Sequence, residues 1–252
     1  KGVMSSQYNM VSNCLQIVNS QQHFDGKEKD GVVSGILPMF HIYGLQFLLH
    51  VSLVNPYVVL IYKRFDLEEF VKSIDTYKMT YAVIVPPIVV ALAKYQNKKK
   101  FDLSSLKMIT SGAAPLGGEL ATITSKKYRC SVVQGYGMTE SSPCTLLASK
   151  NDKDPSSCGR LVCNVEARIV DPSTGKDVER GELWLKGPNI MLGYLNNAKA
   201  TKETIDSDGW LHTGDLAITD EDGYIAEFAF ETARRENRKK VTKPKLNIKV
   251  FK

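Results

Sequence analysis

The stretch that decides the fold is Gln134 to Pro143, "QGYGMTESSP", which directly follows the apolar run Ser131-Val132-Val133. A β-branched run ending in Gly-Tyr-Gly reads as a strand that stops in a tight turn, because glycine lets the backbone bend sharply and lets a ligand come close. Tyr136 then offers a flat face for a purine, Thr139 a hydroxyl for a phosphate oxygen, and Glu140 a carboxylate of the kind that shares Mg²⁺ with phosphate. Taken alone, a surface turn with an N-capping threonine accounts for the same residues equally well.

The surroundings tip that balance. From Val32 to about Tyr136, short apolar runs alternate with helical segments, the pattern of βα units on a parallel sheet. The expected strands are Val33–Leu37, Val58–Tyr62, Ala82–Val85, Lys107–Thr110 and Ser131–Gln134. The expected helices are Leu45–Leu53, Leu67–Tyr77 behind an Asp66 cap, Ile88–Gln96 and Gly117–Tyr128. Ligands of such sheets gather at the carboxyl ends of the strands, which is where Gly-Tyr-Gly falls. Gly31 to Tyr62 holds no Asp, Glu, Lys or Arg, but Pro38, His41, Gln46, His50, Asn55 and Pro56 interrupt it. A buried strand-helix-strand unit is therefore expected there, and not a membrane span of about 20 apolar residues.

Past Asp152 the character changes. Prolines and glycines punctuate short β-rich runs, Val165–Val170, Glu182–Lys186, Trp210–Leu216 and Tyr224–Ala226, and Asp208-Gly209 and Asp222-Gly223 are hairpin signals. The expectation is an antiparallel layer closing into a small barrel. Residues 230–252 carry few large apolar side chains and are expected to be a poorly ordered tail.

The formal charge of +6 is concentrated in that tail: residues 234–252 hold nine Lys or Arg against one acid, leaving −2 for the rest. A solvated end explains such a run, and no nucleic-acid partner is inferred. Cys14, Cys130, Cys144, Cys158 and Cys163 are odd in number and lack zinc-ligand spacing. Since no basic-then-apolar leader is visible in the sequence either, reduced thiols in an intracellular, by default cytoplasmic, setting are expected.

Three further stretches carry candidate chemistry. "KMITSGAAPLGGEL", residues 107–120, is a strand, a small-residue turn at Ala113, and Pro115 near a helix start. "DGWLHTGDLA", residues 208–217, sets Asp215 beside Gly214, and one carboxylate can accept from both hydroxyls of a ribose. His212 in the same stretch has no visible partner and is expected to pack or face solvent. "PMFHIYGL", residues 38–45, puts His41 and Tyr43 just beyond a strand end.

In this order the four stretches resemble the adenylate-forming superfamily of acyl-CoA synthetases, luciferases and peptide-synthetase adenylation domains. The motifs "QGYGMTE", "SGAAPLG", "GELWLKGPNIMLGYLNN" and "TIDSDGWLHTGDLA" are closest to plant 4-coumarate–CoA ligases and their ligase-like relatives, and the likeness runs from Lys1 to about Ile225. It implies part of the large N-terminal domain of such enzymes. The expected division is 1–31, the remnant of a first βα subdomain; 32–152, a doubly wound βα subdomain with the adenylate-binding motifs; 153–229, a small β-barrel subdomain; and 230–252, the tail. It also implies a two-step reaction, in which a carboxylate attacks the α-phosphate of ATP with Mg²⁺ and the CoA thiol then displaces AMP. The acid implied is a hydroxycinnamate or a fatty acid.

By the same resemblance, Ala113, Gln134, Gly135, Tyr136 and Gly137 frame the adenylate, Thr139 meets the phosphate, Glu140 the magnesium, and Asp215 the ribose. His41 would stand by the reacting carboxyl, Tyr43 and Ala113 would line the acid pocket, and Arg64 would contact CoA. The family's phosphate loop, ending in Pro-Lys-Gly, is expected just ahead of "KGV" at Lys1–Val3. Its Asp-Arg-x-Lys-Glu hinge is expected about where Phe228 and Ala229 stand, and Arg234 or Arg235 is the candidate to reach the nucleotide. Phe47 occupies a position where coumarate ligases carry a small polar residue. The parent enzyme could be peroxisomal, but "KVFK" is no such signal. These departures support a second reading: a catalytically silent product of truncation or altered splicing that at most binds nucleotide or a partner protein.

Overall fold

The computed structural model describes residues 1–20, 31–219 and 225–227. Strand β1 (Val3–Met4) leads into helix α1 (Gln7–Asn19), whose start is fixed by a reciprocal cap between Ser6 and Asn9. Strand β2 (Val32–Gly35) is followed by one continuous helical stretch: α2 (Ile42–Gly44), a π-helical segment Leu45–His50, and α3 (Val51–Val54). Then come β3 (Val58–Ile61), α4 (Leu67–Tyr77), β4 (Tyr81–Ile84), α5 (Pro86–Lys94), β5 (Met108–Ser111), α6 (Gly118–Tyr128) and β6 (Ser131–Gly137). A 3₁₀ turn at Thr139–Ser141 joins β6 to β7 (Cys144–Leu147), and β8 (Arg160–Leu161) follows.

These strands form a seven-stranded sheet in the order β3-β2-β4-β5-β6-β7-β8. From β3 to β6 all pairings are parallel, and β7 and β8 continue antiparallel. The chain order reverses between β2 and β4, so a cleft opens at the carboxyl ends of the strands at this switch point. Alternation along each strand sends residues to opposite faces. Ala82, Ile84, Ile109 and Val132 join Phe70, Ile74, Val89 and Leu92 of α4 and α5 on one face. Val83, Met108 and Val133 join Ile17 of α1 and Phe47, Leu48 and Val51 of the π and α3 turns on the other. Both faces are covered by helices, as the doubly wound expectation requires, and Gly31 to Tyr62 forms the expected strand-helix-strand unit. Helix α4 begins at the Asp66 cap, whose side chain accepts from the Glu69 N–H at 2.8 Å. Among the described residues no helix is long and apolar enough to cross a membrane.

The remaining elements are β9 (Glu166–Asp171), β10 (Lys176–Asp177), β11 (Arg180–Lys186), β12 (Gly193–Tyr194), α7 (Ala198–Thr204), β13 (Leu211–Thr219) and β14 (Ile225–Glu227). They depart from the barrel expectation. The antiparallel layer runs β10-β9-β11-β13-β14, with no pairing of β10 to β14 among the described residues, so it is an open five-stranded sheet. Closure would need staggered edge strands long enough to meet, and β10 is two residues long. Its inner face, with Ile169, Leu183, Leu185 and Leu211, continues the hydrophobic core of the larger sheet. Strand β12 pairs instead with β1. Phe228, Ala229, Arg234, Arg235 and the basic tail lie outside the described residues.

Candidate active site

Three turns meet at the carboxyl ends of β2, β5 and β6. Beyond β2, His41 caps the helix, its Nδ1 accepting from the Tyr43 N–H at 3.2 Å. This cap explains why the helix starts at Ile42, ahead of the expected Leu45. Beyond β5, the turn Gly112–Pro115 passes through Ala113 at φ 69°, a left-handed conformation that costs a non-glycine residue about 1–2 kcal/mol. Beyond β6, Gly137 lies so close to the returning chain that a Cβ there would sit 2.0 Å from the Pro143 carbonyl oxygen. Glycine is required for that approach.

The turn at Ala113 is held by Gln134. This buried amide accepts from the Leu116 N–H at 2.8 Å and donates to the carbonyls of Leu116 at 2.9 Å and Pro155 at 2.8 Å. Its side chain is thus a staple between β6, the α6 entrance and the 155 loop. It frames the cleft by fixing that wall, with both amide hydrogens already used.

The cleft has a volume of about 400 Å³ and brings together His41, Tyr43, Ala113, Gln134, Gly135, Tyr136, Gly137, Thr139, Glu140 and Asp215. Asp215, on β13 of the smaller sheet, accepts from the Tyr136 hydroxyl at 2.6 Å, which bridges the two sheets. Burial raises the Asp215 carboxyl above its ordinary range; the Tyr136 hydrogen bond opposes this, and the charges of Glu182 and Glu140 reinforce it. Gly214, at φ 78°, turns β13 so that its N–H meets the buried Glu182 Oε1 at 2.8 Å. Glu182 does not line the cleft but acts on Asp215 through its charge, a neighbour that motif reading did not single out. Glu140 Oε1 accepts from the Tyr194 hydroxyl at 2.6 Å, while Thr139, exposed, lines the cleft.

The cleft is polar and exposed at one end and apolar at the other. His41, Ala113 and Thr139 form the rim; Tyr43, Phe47, Cys144, Leu147 and Cys158 form a buried floor. Tyr43 and Phe47 meet edge to face at 5.1 Å, and burial pushes the Tyr43 phenol up, so it stays neutral. Burial likewise pushes the Cys144 thiol up to about 12, which makes it an unreactive wall residue.

Two sequence expectations fall elsewhere. Arg64 is exposed at the end of edge strand β3 and lines a separate groove with Tyr62, Lys63 and Lys72. His212 does have partners: it stacks on Trp184 at 3.7 Å between ring centroids, and its Nε2 lies 3.2 Å from Asp206 Oδ2. The cross-strand register, Trp184 opposite His212, creates that stack and is invisible in either strand's local pattern.

The doubly wound sheet, with Tyr136, Thr139, Glu140 and Asp215 gathered beside an apolar floor at the ends of its strands, defines the class of protein, and the comparisons with known proteins agree with it. The family model described as "AMP-binding enzyme" matches residues 1–195, and the chain belongs to that family. 4-Coumarate–CoA ligase 5 of Oryza sativa subsp. japonica is 42% identical over 234 residues, covering 89% of this chain and 43% of that protein. 4-Coumarate–CoA ligase 1 of Arabidopsis thaliana is 42% identical over 231 residues, covering 88% and 41%. Among solved structures, ATP-bound MatB from Rhodopseudomonas palustris superimposes with a TM-score of 0.82 at 29% identity, covering 91% of this chain and 45% of that one. A long-chain-fatty-acid–CoA ligase from Archaeoglobus fulgidus gives 0.81 at 26% identity, covering 91% and 49%. The chain thus spans about two fifths of the length of these curated relatives.

Proposed function

We propose that this chain carries the adenylate-binding cleft of an acid–CoA ligase, which activates a carboxylic acid with ATP to an acyl-adenylate and passes the acyl group to CoA. The observation that supports this best is the continuity of the cleft. One cavity runs from the Tyr136–Asp215 pair, suited to an adenine face and a ribose diol, to the apolar floor at Tyr43 and Phe47, suited to an acyl chain. The α-phosphate and the acid's carboxyl would meet between these ends, beside His41 and Thr139.

The acid is already ionised at neutral pH, so the protein's task is to position it and to stabilise charge. Thr139 would donate to a phosphate oxygen, and Ala113 would present backbone to the adenylate. Ala113 and Tyr43 would border the acyl group. Mg²⁺ suits this donor set only as a passenger on phosphate: among the described residues no cluster of three His, Cys, Asp or Glu could hold a metal, and Glu140 supplies a single carboxylate. When bound, the ion would neutralise phosphate charge, and Glu140 would hold it. Arg64 as a CoA contact belongs to this proposal as well, through its own groove. The division at residues 32–152 and 153–229 is part of this proposal, although β8, at Arg160–Leu161, still belongs to the larger sheet.

The test is thioester formation, followed by mass spectrometry, from ATP, CoA and a panel of acids: 4-coumarate, cinnamate and medium-chain fatty acids. Turnover that falls at least tenfold in Asp215→Ala supports the ligase. The second reading, a silent adenylate binder, is favoured by one observation: among the described residues no Lys or Arg lines the cleft. Each missing transition-state donor can be worth about 3–4 kcal/mol. Adenylate binding without turnover on any acid would select that reading.

A further inference from the structure

We propose that Tyr194 is a positioning residue for Glu140, holding its carboxylate toward the cleft so that a divalent cation riding on the nucleotide's phosphates meets it already oriented. The proposal rests on the reading of the cleft as a nucleotide site and goes beyond it, to a residue outside the cleft's lining.

The geometry is specific. Tyr194 is buried, at 6% exposure, and its hydroxyl donates to Glu140 Oε1 at 2.6 Å across 54 positions of chain. That bond takes one oxygen of the carboxylate and leaves Oε2 for a cation. Tyr194 is held through its backbone and at its ring. Tyr194 pairs with Val3 in the short β1–β12 ladder, its N–H donates to Thr201 Oγ1 at 2.9 Å, and the Lys1 ammonium lies 4.5 Å from the ring centroid. Gly193 before it sits at φ 139°, where a Cβ would come within 2.6 Å of Thr201, so the approach is rigid.

A loop tether does not require the phenol. The backbone of the Thr139–Ser141 turn is already tied to the same segment by Met191 N–H to Glu140 O at 2.8 Å and Asn189 Nδ2 to Ser141 O at 2.8 Å. Besides a bond to the Thr204 side chain on α7, the hydroxyl adds to these a fixed direction for the Glu140 side chain. Groups that orient a metal-binding side chain in this way typically matter about 10–100-fold in metal affinity.

The experiment is calorimetric titration of the full chain with AMP without metal, and with ATP at stepped Mg²⁺ concentrations, for wild type, Tyr194→Phe, Glu140→Gln and the double variant. Tyr194→Phe keeps the ring and removes only the hydroxyl. The expected result is AMP affinity within about twofold of wild type, and a Mg²⁺ midpoint for ATP binding raised about tenfold. Glu140→Gln should raise that midpoint at least as far, and the double variant no further than Glu140→Gln alone. An unchanged Mg²⁺ midpoint in Tyr194→Phe overturns the proposal while leaving the nucleotide site standing. Equal losses of AMP and ATP binding also overturn it, by reducing Tyr194 to a structural tether. Failure of wild type to bind AMP at all removes the nucleotide-site reading and this proposal with it.

Discussion

Replacing Gln134 by Leu should destabilise the protein by about 3 kcal/mol, because the swap keeps the volume and deletes three hydrogen bonds at once. The side chain is 3% exposed and is the partner of both the N–H and the carbonyl of Leu116, itself buried, and of the Pro155 carbonyl. An unsatisfied buried backbone group costs about 1–3 kcal/mol; the Leu116 pair should bear most of the loss, and the Pro155 carbonyl little, since water can reach it. For a chain of this size about 1 kcal/mol moves the melting temperature by 2–4 °C, so calorimetry at pH 7 should record a fall of about 6–12 °C. The strained Ala113 turn should relax once its staple is gone, and affinity for an acyl-adenylate analogue should drop as well. A fall of less than about 2 °C would mean that the turn is held by something other than Gln134.

Other expectations follow from the same geometry. Gly137→Ala, whose new methyl would start 2.0 Å from the Pro143 oxygen, should lose soluble expression or adenylate binding, whereas Gly117→Ala, with open space around it, should keep both. Asp215→Asn removes a carboxylate whose folded-state pKa is raised, chiefly by burial. The unfolded chain gives up that proton first, so wild type loses stability as pH climbs from about 4 through the raised value. In denaturant titrations the Asn variant should therefore be the more stable protein at pH 7, with the gap narrowing toward pH 4; a gap that widens on acidification would contradict the assignment. Tyr8, Val11 and Leu15 on α1 and Leu53 and Val54 on α3 are exposed apolar side chains on adjacent helices. The chain should bind a hydrophobic dye or self-associate, and Leu53→Lys should weaken both in a fluorescence or light-scattering measurement.

How much of this could be read beforehand depends on how far apart the cooperating residues lie. Strand β6 and helix α4 were visible because hydrophobic period, the Asp66 cap and the Gly-Tyr-Gly stop all act within a few residues. The strand ends that carry His41, Ala113, Tyr136 and Glu140 were visible for the same reason, and the topology then gathers them. Hidden from local pattern were the contacts that orient those groups: Gln134 to Pro155 across 21 positions, Tyr194 to Glu140 across 54, Tyr136 to Asp215 across 79. Each depends on how segments distant in sequence pack together, which propensity does not encode. The open smaller sheet escaped for a related reason, since hairpin signals announce antiparallel neighbours without saying whether the last strand meets the first. The π-helical segment at Leu45–His50 likewise leaves no mark in the apolar periodicity.

The central claim is that the Gly-Tyr-Gly turn and Asp215 cradle an acyl-adenylate. Its most direct test is calorimetric binding of a non-hydrolysable hydroxycinnamoyl-adenylate analogue to this chain and to Asp215→Ala. Loss of two charge-assisted hydrogen bonds to a ribose diol is worth about 3 kcal/mol, so the dissociation constant should rise about a hundredfold in the variant. Equal affinity in both proteins would remove Asp215 from the site, and no binding to either would mean that the cleft, as this chain presents it, is not an adenylate site.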